Sequence, residues 1–257
     1  MSRGPAEMPF LDHLEELRWR LVWSLIALIV ACVLGFVAVT QLDVLGLIER
    51  PIRDLLPPDQ KLIYTSPTTP LFVTFKLAFV LGLVLALPFL GLQLWSFLSP
   101  ALYEHERRFA IPAIASASVL FLAGVAMAYF LVLPLGLKIL LGFHSESLQP
   151  FITIDAHLRF AVGLILAFGA IFELPVVLVM LSVMGIVTPD MLARFRRHAI
   201  VILAILSAFL TPADPYTMIM MLAPMILLYE ASIWVTRAIG GRRERRADIT
   251  TTEGSGV

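Results

Sequence analysis

Apolar residues form long runs separated by short polar stretches along the 257-residue chain. A helix needs about 20 apolar residues to cross the roughly 30 Å hydrocarbon core of a bilayer. Four runs meet this requirement, at about 21–39, 77–97, 109–137 and 160–187. The pattern predicts an all-α polytopic membrane protein, because polar helix faces of the kind that a soluble domain presents to water are missing from these runs.

Two further apolar runs, Ala199–Leu210 and Met218–Tyr229, are each about 12 residues long, a length typical of re-entrant segments. The turn between them contains two prolines, which lack an N–H and break a helix. We assign short fifth and sixth spans at 199–210 and 218–237. They either cross a locally thinned bilayer or form a hairpin that dips in and returns. Both arrangements return the tail to the side of the loop that precedes residue 199.

The distribution of Lys and Arg predicts the orientation. The N-terminal segment, the loops after the second and fourth spans and the tail together carry thirteen arginines, against six Lys and Arg on the opposite side. The positive-inside rule then places both termini in the cytoplasm. We expect one integral membrane domain over 1–240, a disordered cytoplasmic tail over 241–257, and a long first outer loop, 41–74, whose five prolines favour a folded cap.

Composition excludes several classes of function. Hydrophobic residues make up 59% of the chain, and nineteen Lys and Arg balance nineteen Asp and Glu. This neutral balance disfavours a nucleic-acid binder. A single cysteine, Cys32, allows no intramolecular disulfide, and we interpret it as a packing residue. The sequence contains no phosphate-binding loop, zinc-protease helix or nucleophile elbow. We therefore expect no metal, no cofactor and no enzymatic activity.

The N-terminal segment 8–20 reads as an amphipathic helix. Glu16 and Arg20 lie opposite its apolar stripe and form a favourable i,i+4 pair. Arg18 falls on the apolar side and needs a polar partner or a lipid headgroup. An interfacial anchor is the alternative interpretation of the segment. The stripe consists of Phe10, Leu14, Leu17 and Leu21.

Carboxylates occur at two other notable places. Glu104 and Glu106 lie in the loop after the second span, where they would either grip a cationic partner or form a solvated face. Glu173 lies in the middle of the fourth span, where an ionisable group is functional by default because its burial is costly. The alternative is a protonated glutamate satisfied by neighbouring carbonyls. Pro175 is expected to kink this span.

Four blocks carry a specific resemblance. HLEELRWRL at 13–21, FLSPALYEHERR at 97–108, FELP at 172–175 and LTPADP at 210–215 resemble the signature blocks of TatC, the multispanning subunit of the twin-arginine protein translocase. The resemblance covers nearly the whole chain. It implies a receptor that recognises the consecutive arginines of signal peptides on folded cargo. It also implies assembly with the single-span subunits TatA and TatB and with other TatC copies, and export driven by the proton-motive force across a bacterial cytoplasmic (inner) membrane.

The resemblance also implies roles for individual residues. Asp214 matches an outer-loop aspartate linked to activity, whereas Met218 stands where family members often have glutamine. Glu173 matches an intramembrane glutamate thought to line a polar patch facing TatA and TatB. Pro51 lies at a family motif position in the outer loop. The residues assigned to signal-peptide binding are Glu16, Arg18, Phe97, Glu104 and Glu106.

Two other classes of function compete with this interpretation. A proton-coupled secondary transporter would use Glu173 as its protonation site, but it would also need a second titratable group at similar depth, and the spans contain no second central carboxylate. An intramembrane hydrolase would need a base beside Ser182 or Ser207, and no His or Asp lies there within the core spans.

Overall fold

A computed structural model describes residues 10–57, 60–98, 110–142, 151–210 and 215–254. Regular structure in these ranges is helical, so the predicted all-α class is confirmed. In chain order the helices are α1 Phe10–Gln41, α2 Val44–Arg53, α3 Thr69–Leu98, α4 Ala110–Met127, a π-helical turn Ala128–Val132, α5 Leu133–Gly142, α6 Ile154–Phe172, α7 Leu174–Val183, α8 Pro189–Arg194, α9 Arg196–Leu210 and α10 Pro215–Gly254.

Five helical segments within these ranges are long and apolar enough to cross a membrane. They correspond to the first four predicted spans and the sixth, which makes the chain a multi-pass membrane protein. The segment predicted as the fifth span forms α9, whose 15 residues extend about 22 Å. This length falls short of a bilayer core, so the predicted fifth span, and with it the total of six spans, stays a prediction. The five segments are Leu14–Gln41, Thr69–Phe97, Ile111–Gly142, Ile154–Val183 and Pro215–Ala238.

Two elements extend beyond their predicted limits. The amphipathic segment and the first predicted span form one continuous helix, α1. The last helix runs to Gly254, although the sequence predicted disorder from residue 241. Its polar end is rich in Arg and Glu, which are good helix formers, and it continues a helix that the membrane span has already nucleated.

The chain divides into two compact units, Met1–Ala170 and Ile171–Val257. In the first unit, α1 and α3 pack closely through small residues. A Cβ added at Gly35 would lie 2.5 Å from the carbonyl oxygen of Ala78, and one added at Gly82 would lie 2.6 Å from the Cα of Cys32. Small residues let helix backbones approach this closely in membranes. The prediction that Cys32 is a packing residue is consistent with this contact.

The first predicted outer loop contains α2 and an extended stretch. The N–H of Ile63 donates to the carbonyl of Ile152, and the N–H of Ile154 donates to the carbonyl of Ile63. These two bonds form a short parallel bridge that ties the stretch before α3 to the start of α6.

In the second unit, α7, α8 and α9 pack against α10. The Tyr229 hydroxyl on α10 donates to the carbonyl of Leu192 on α8, at 2.9 Å. The Arg196 guanidinium on α9 pairs with the Glu230 carboxylate on α10, at 2.9 Å. Met225 on α10 is fully buried. Polar bonds and apolar packing therefore both hold α8 and α9 against α10.

Candidate functional site

Glu16 and Arg20 form the i,i+4 ion pair that the helical spacing predicted. The Arg20 Nε donates to Glu16 Oε1 at 2.8 Å, and an Arg20 terminal nitrogen donates to the same oxygen. The Glu16 side chain is 21% exposed. This carboxylate is therefore partly shielded from water and binds a guanidinium of its own helix.

The packing of α1 on α3 places Glu16 and Arg18 beside the end of α3. Cys32 lies against Gly82 and Phe36 stacks on Phe75, so the two helices are antiparallel. Counting back along both helices from these contacts brings Glu16 and Arg18 to the level of Phe97. The structure thus gathers these three predicted site residues at one end of the α1–α3 pair, which we call the recognition end.

Arg18 is exposed at the recognition end, and no described residue forms an ion pair with it. Its predicted need for a polar partner is thus not met by the described part of the chain. Glu104, Glu106 and Asp214 lie outside the described residues.

Pro51 lies at the opposite end of the first unit, inside α2. From Glu16 to Gln41 alone, α1 extends about 37 Å, so Pro51 does not share a site with Glu16. Because proline has no N–H, it leaves the carbonyl of Leu47 without its usual helical donor. The Tyr129 hydroxyl, from the π-helical turn, donates to this carbonyl at 2.7 Å. Pro51 therefore exposes an acceptor through which Tyr129 holds α2.

His157 makes a second bond to α2. Its Nε2 lies 3.0 Å from the carbonyl oxygen of Ile48, and the side chain is almost completely buried. Sequence reasoning missed Tyr129 and His157, since both bonds join residues more than 80 positions apart. The sequence features that could have pointed to these bonds were Pro51 in an amphipathic stretch, Tyr129 within an apolar run and His157 just before one.

Glu173 interrupts the fourth predicted span, as expected near Pro175. Helical structure stops at Phe172 and resumes at Leu174, with Glu173 as the residue preceding α7. Its Oε1 is buried and has no hydrogen-bond partner, and no described residue bonds to the carboxylate at all. A buried polar group without a partner costs about 1–3 kcal/mol. The described residues therefore do not supply the neighbouring carbonyls that would satisfy a protonated glutamate.

No cluster of metal-binding side chains occurs in the described ranges. The described residues instead show three polar features. The partly shielded Glu16 carboxylate binds Arg20, and Glu173, with no described partner, lies where helical structure is interrupted in the fourth predicted span. At the opposite end of the first unit, Tyr129 and His157 bond to α2. These features define a multi-pass membrane protein with polar side chains at both ends of its first unit and within its fourth predicted span.

The family model for Sec-independent protein translocase protein (TatC) matches residues 12–224. TatC of Aquifex aeolicus (strain VF5) is 40% identical over 230 residues, covering 89% of this chain and 94% of that relative. TatC of Escherichia coli (strain K12) is 36% identical over 242 residues, covering 93% of this chain and 92% of that relative. The chain belongs to the TatC family.

Two crystal structures described as the twin arginine translocase receptor TatC have the same fold. One matches with a TM-score of 0.76 and 39% identity, over 88% of this chain and 98% of that structure. The other, in the detergent DDM, matches with a TM-score of 0.78 and 40% identity, over 87% of this chain and 99% of that structure. The family match favours a translocase subunit over the secondary transporter and the hydrolase.

Proposed function

We propose that this chain is the signal-peptide receptor of a twin-arginine translocase and that its recognition end reads the paired arginines. The Glu16–Arg20 contact is the single observation that carries this proposal, because it places a guanidinium on a partly shielded carboxylate. Glu106 and Glu104, in the loop that follows α3, supply further carboxylates. Phe97 adds an aromatic surface at the same level as Glu16.

Arginine suits this recognition better than lysine. Its planar guanidinium binds a carboxylate through two parallel hydrogen bonds, a geometry that an ammonium cannot copy. A signal arginine must either displace Arg20 or approach Glu16 from its other side. An i,i+4 pair on a helix is worth only about 0.2–0.5 kcal/mol, so displacement of Arg20 is inexpensive.

The arginines alone do not supply the affinity. Exposed ion pairs contribute about 0–1 kcal/mol each, whereas micromolar binding needs about 8 kcal/mol. We infer that the apolar stretch of the signal supplies the remainder, at about 25 cal/mol per Å² of apolar surface buried.

Glu173 has a proposed role in assembly. A carboxylate without a described partner in an apolar helix is a natural contact for a polar group on the single-span subunits TatA and TatB. We further propose that both termini face the cytoplasm of a bacterium, that copies of the chain associate, and that the proton-motive force drives export. Pro51 and Asp214 are placed on the outer side by this orientation.

The receptor role is tested by binding of a dye-labelled twin-arginine signal peptide to the detergent-solubilised full chain. A twin-lysine peptide serves as the specificity control, and Glu106→Gln is compared with Glu104→Gln. The proposal expects the unmodified chain to bind the arginine peptide more tightly than the lysine peptide, and Glu106→Gln to remove this preference. Equal affinity for the two peptides in the unmodified chain would contradict it.

A further inference from the structure

A cavity of about 550 Å³ lies in the first unit between α2, the extended stretch before α3 and the start of α6. Its floor includes Ile52 and Val73, each only 1% exposed, and Ile154, 7% exposed. Pockets of about 300–1,000 Å³ receive a ligand of drug size, so this cavity has room for an apolar side chain and the backbone beside it. It lies at the opposite end of the first unit from the recognition end.

The backbone beside the cavity has an open strand edge. Ile63 uses both its N–H and its carbonyl in the bridge to the stretch that begins α6. In an extended chain, the N–H and carbonyl groups of the residues before and after Ile63 point away from the strand that Ile63 pairs with. The backbone groups of Leu62 and Tyr64 form no hydrogen bond with any described residue, and both residues line the cavity. An added strand would satisfy them.

Charges on the cavity wall favour an acidic ligand. Glu49 is paired with Arg53 at 2.7 Å, which neutralises both groups. Lys61 also lines the cavity, and no described residue forms an ion pair with it. Tyr64 adds a ring that is 62% exposed. The wall therefore presents one cation without a described counterion next to an aromatic surface.

We propose that this cavity is a docking site for an extended peptide segment of a partner protein, in which an apolar side chain is followed or preceded by a carboxylate. The segment adds as a strand to the edge at Leu62 and Tyr64, its apolar side chain enters the cavity, and its carboxylate pairs with Lys61. In strand addition, main-chain bonds give affinity and side-chain pockets give specificity. This site is independent of arginine recognition at the opposite end.

The test uses a dye-labelled, N-acetylated pentapeptide, Thr-Val-Glu-Leu-Thr, and the detergent-solubilised full chain, with fluorescence anisotropy as the measurement. Lys61→Glu is expected to weaken binding at least about fivefold, the effect of reversing a partly exposed ion pair. The matched control is Lys138→Glu, an exposed lysine outside the cavity, which is expected to leave the affinity unchanged.

Probes with alternate backbone nitrogens methylated distinguish strand addition from simple apolar capture. Methylation in one register removes the donors that face the edge, so one methylated peptide loses at least about tenfold in affinity while the other binds as before. Equal binding of both methylated peptides, or an affinity that Lys61→Glu leaves unchanged, would overturn the proposal. Saturation of the site by phosphatidylglycerol in place of the peptide would also overturn it and assign the cavity to lipid.

Discussion

Pro51 lies inside α2 and Pro175 lies in the first turn of α7, and the two prolines have the same chemistry with opposite results. Each removes one helical N–H and leaves the carbonyl four residues earlier without its donor. At Pro51 this carbonyl, of Leu47, accepts the Tyr129 hydroxyl. At Pro175 no described side chain donates to the corresponding carbonyl of Ile171. The neighbouring Glu173 also has no described partner.

This difference indicates that Pro51 has a structural role, whereas Pro175 lies beside a candidate binding residue, Glu173. At Pro51 the fold itself supplies the missing donor, and the resulting bond from Tyr129 holds α2 in place. Where nothing described supplies one, the chain keeps polar groups inside an apolar helix at a cost in free energy. Such a cost is tolerated where a binding partner repays it, which is the role proposed for Glu173.

The largest expected effect on stability comes from removing the bond between the Tyr129 hydroxyl and the Leu47 carbonyl. Tyr129→Phe removes only the hydroxyl and leaves the Leu47 carbonyl without that donor. We expect the free energy of unfolding to fall by about 1–2 kcal/mol, measured as a lower Tm of the detergent-solubilised chain. Tyr64→Phe, at an exposed tyrosine, is the control. An unchanged Tm for Tyr129→Phe would mean that the bond does not hold α2.

Glu173→Leu tests whether the Glu173 carboxylate, which has no described partner, costs the isolated chain stability. Replacing a carboxylate whose Oε1 is buried and has no described partner by an apolar side chain is expected to stabilise the isolated chain by about 1 kcal/mol, measured as a higher Tm. The same variant is expected to recover less TatB on copurification. Glu230→Leu, at a carboxylate paired with Arg196, should lower the Tm instead. Destabilisation by Glu173→Leu would show that Glu173 has a structural partner.

Pro51→Ala tests the link between proline and tyrosine. Alanine restores an N–H that can bond the Leu47 carbonyl, so the Tyr129 hydroxyl becomes partly redundant. We expect Tyr129→Phe to cost about half as much in the Pro51→Ala background, a coupling of about 0.5–1 kcal/mol. The four Tm values of the cycle measure it. If the Tm changes of Pro51→Ala and Tyr129→Phe simply add, the two residues do not act through the same carbonyl.

The smallest expected effect concerns Arg20. Its guanidinium donates to the Glu16 carboxylate, just as the Tyr129 hydroxyl donates to the Leu47 carbonyl. Arg20→Gln releases the carboxylate, and the twin-arginine peptide should bind about twofold more tightly, as the strength of an i,i+4 pair implies. Anisotropy titration measures the change, with Arg53→Gln as a control on another i,i+4 pair. Weaker binding would indicate that Arg20 itself helps to hold the peptide.

Local periodicity predicted what depends on neighbours in sequence. Helical spacing predicted the Glu16–Arg20 pair, the missing proline N–H predicted the interruption near Pro175, and the apolar runs predicted the first four long spans and the last one. It did not predict that Tyr129 and His157 bond to α2, because those contacts depend on how distant helices pack. The length of α9, 15 residues, also leaves the predicted fifth span undecided, since bilayer thinning is not encoded in a local pattern.

The candidate site was less accessible to residue-level reasoning than the fold. Acidic residues near Arg-rich segments are common on solvated surfaces, so Glu16 gained meaning only from the block resemblance and from its position beside Phe97. The small residues Gly35 and Gly82 set that position by allowing α1 and α3 to approach closely. Their spacing carries this information only once the two helices are known to be antiparallel partners.

The recognition end is tested most directly by photocrosslinking. A benzoylphenylalanine probe replaces Phe97 in one variant and Phe151, an exposed residue of the opposite end, in another. A twin-arginine signal peptide labelled beside its arginines is then bound and irradiated. We predict crosslinks from position 97 that unlabelled arginine peptide removes at a lower concentration than the twin-lysine peptide does. Crosslinks from position 151 alone would contradict it.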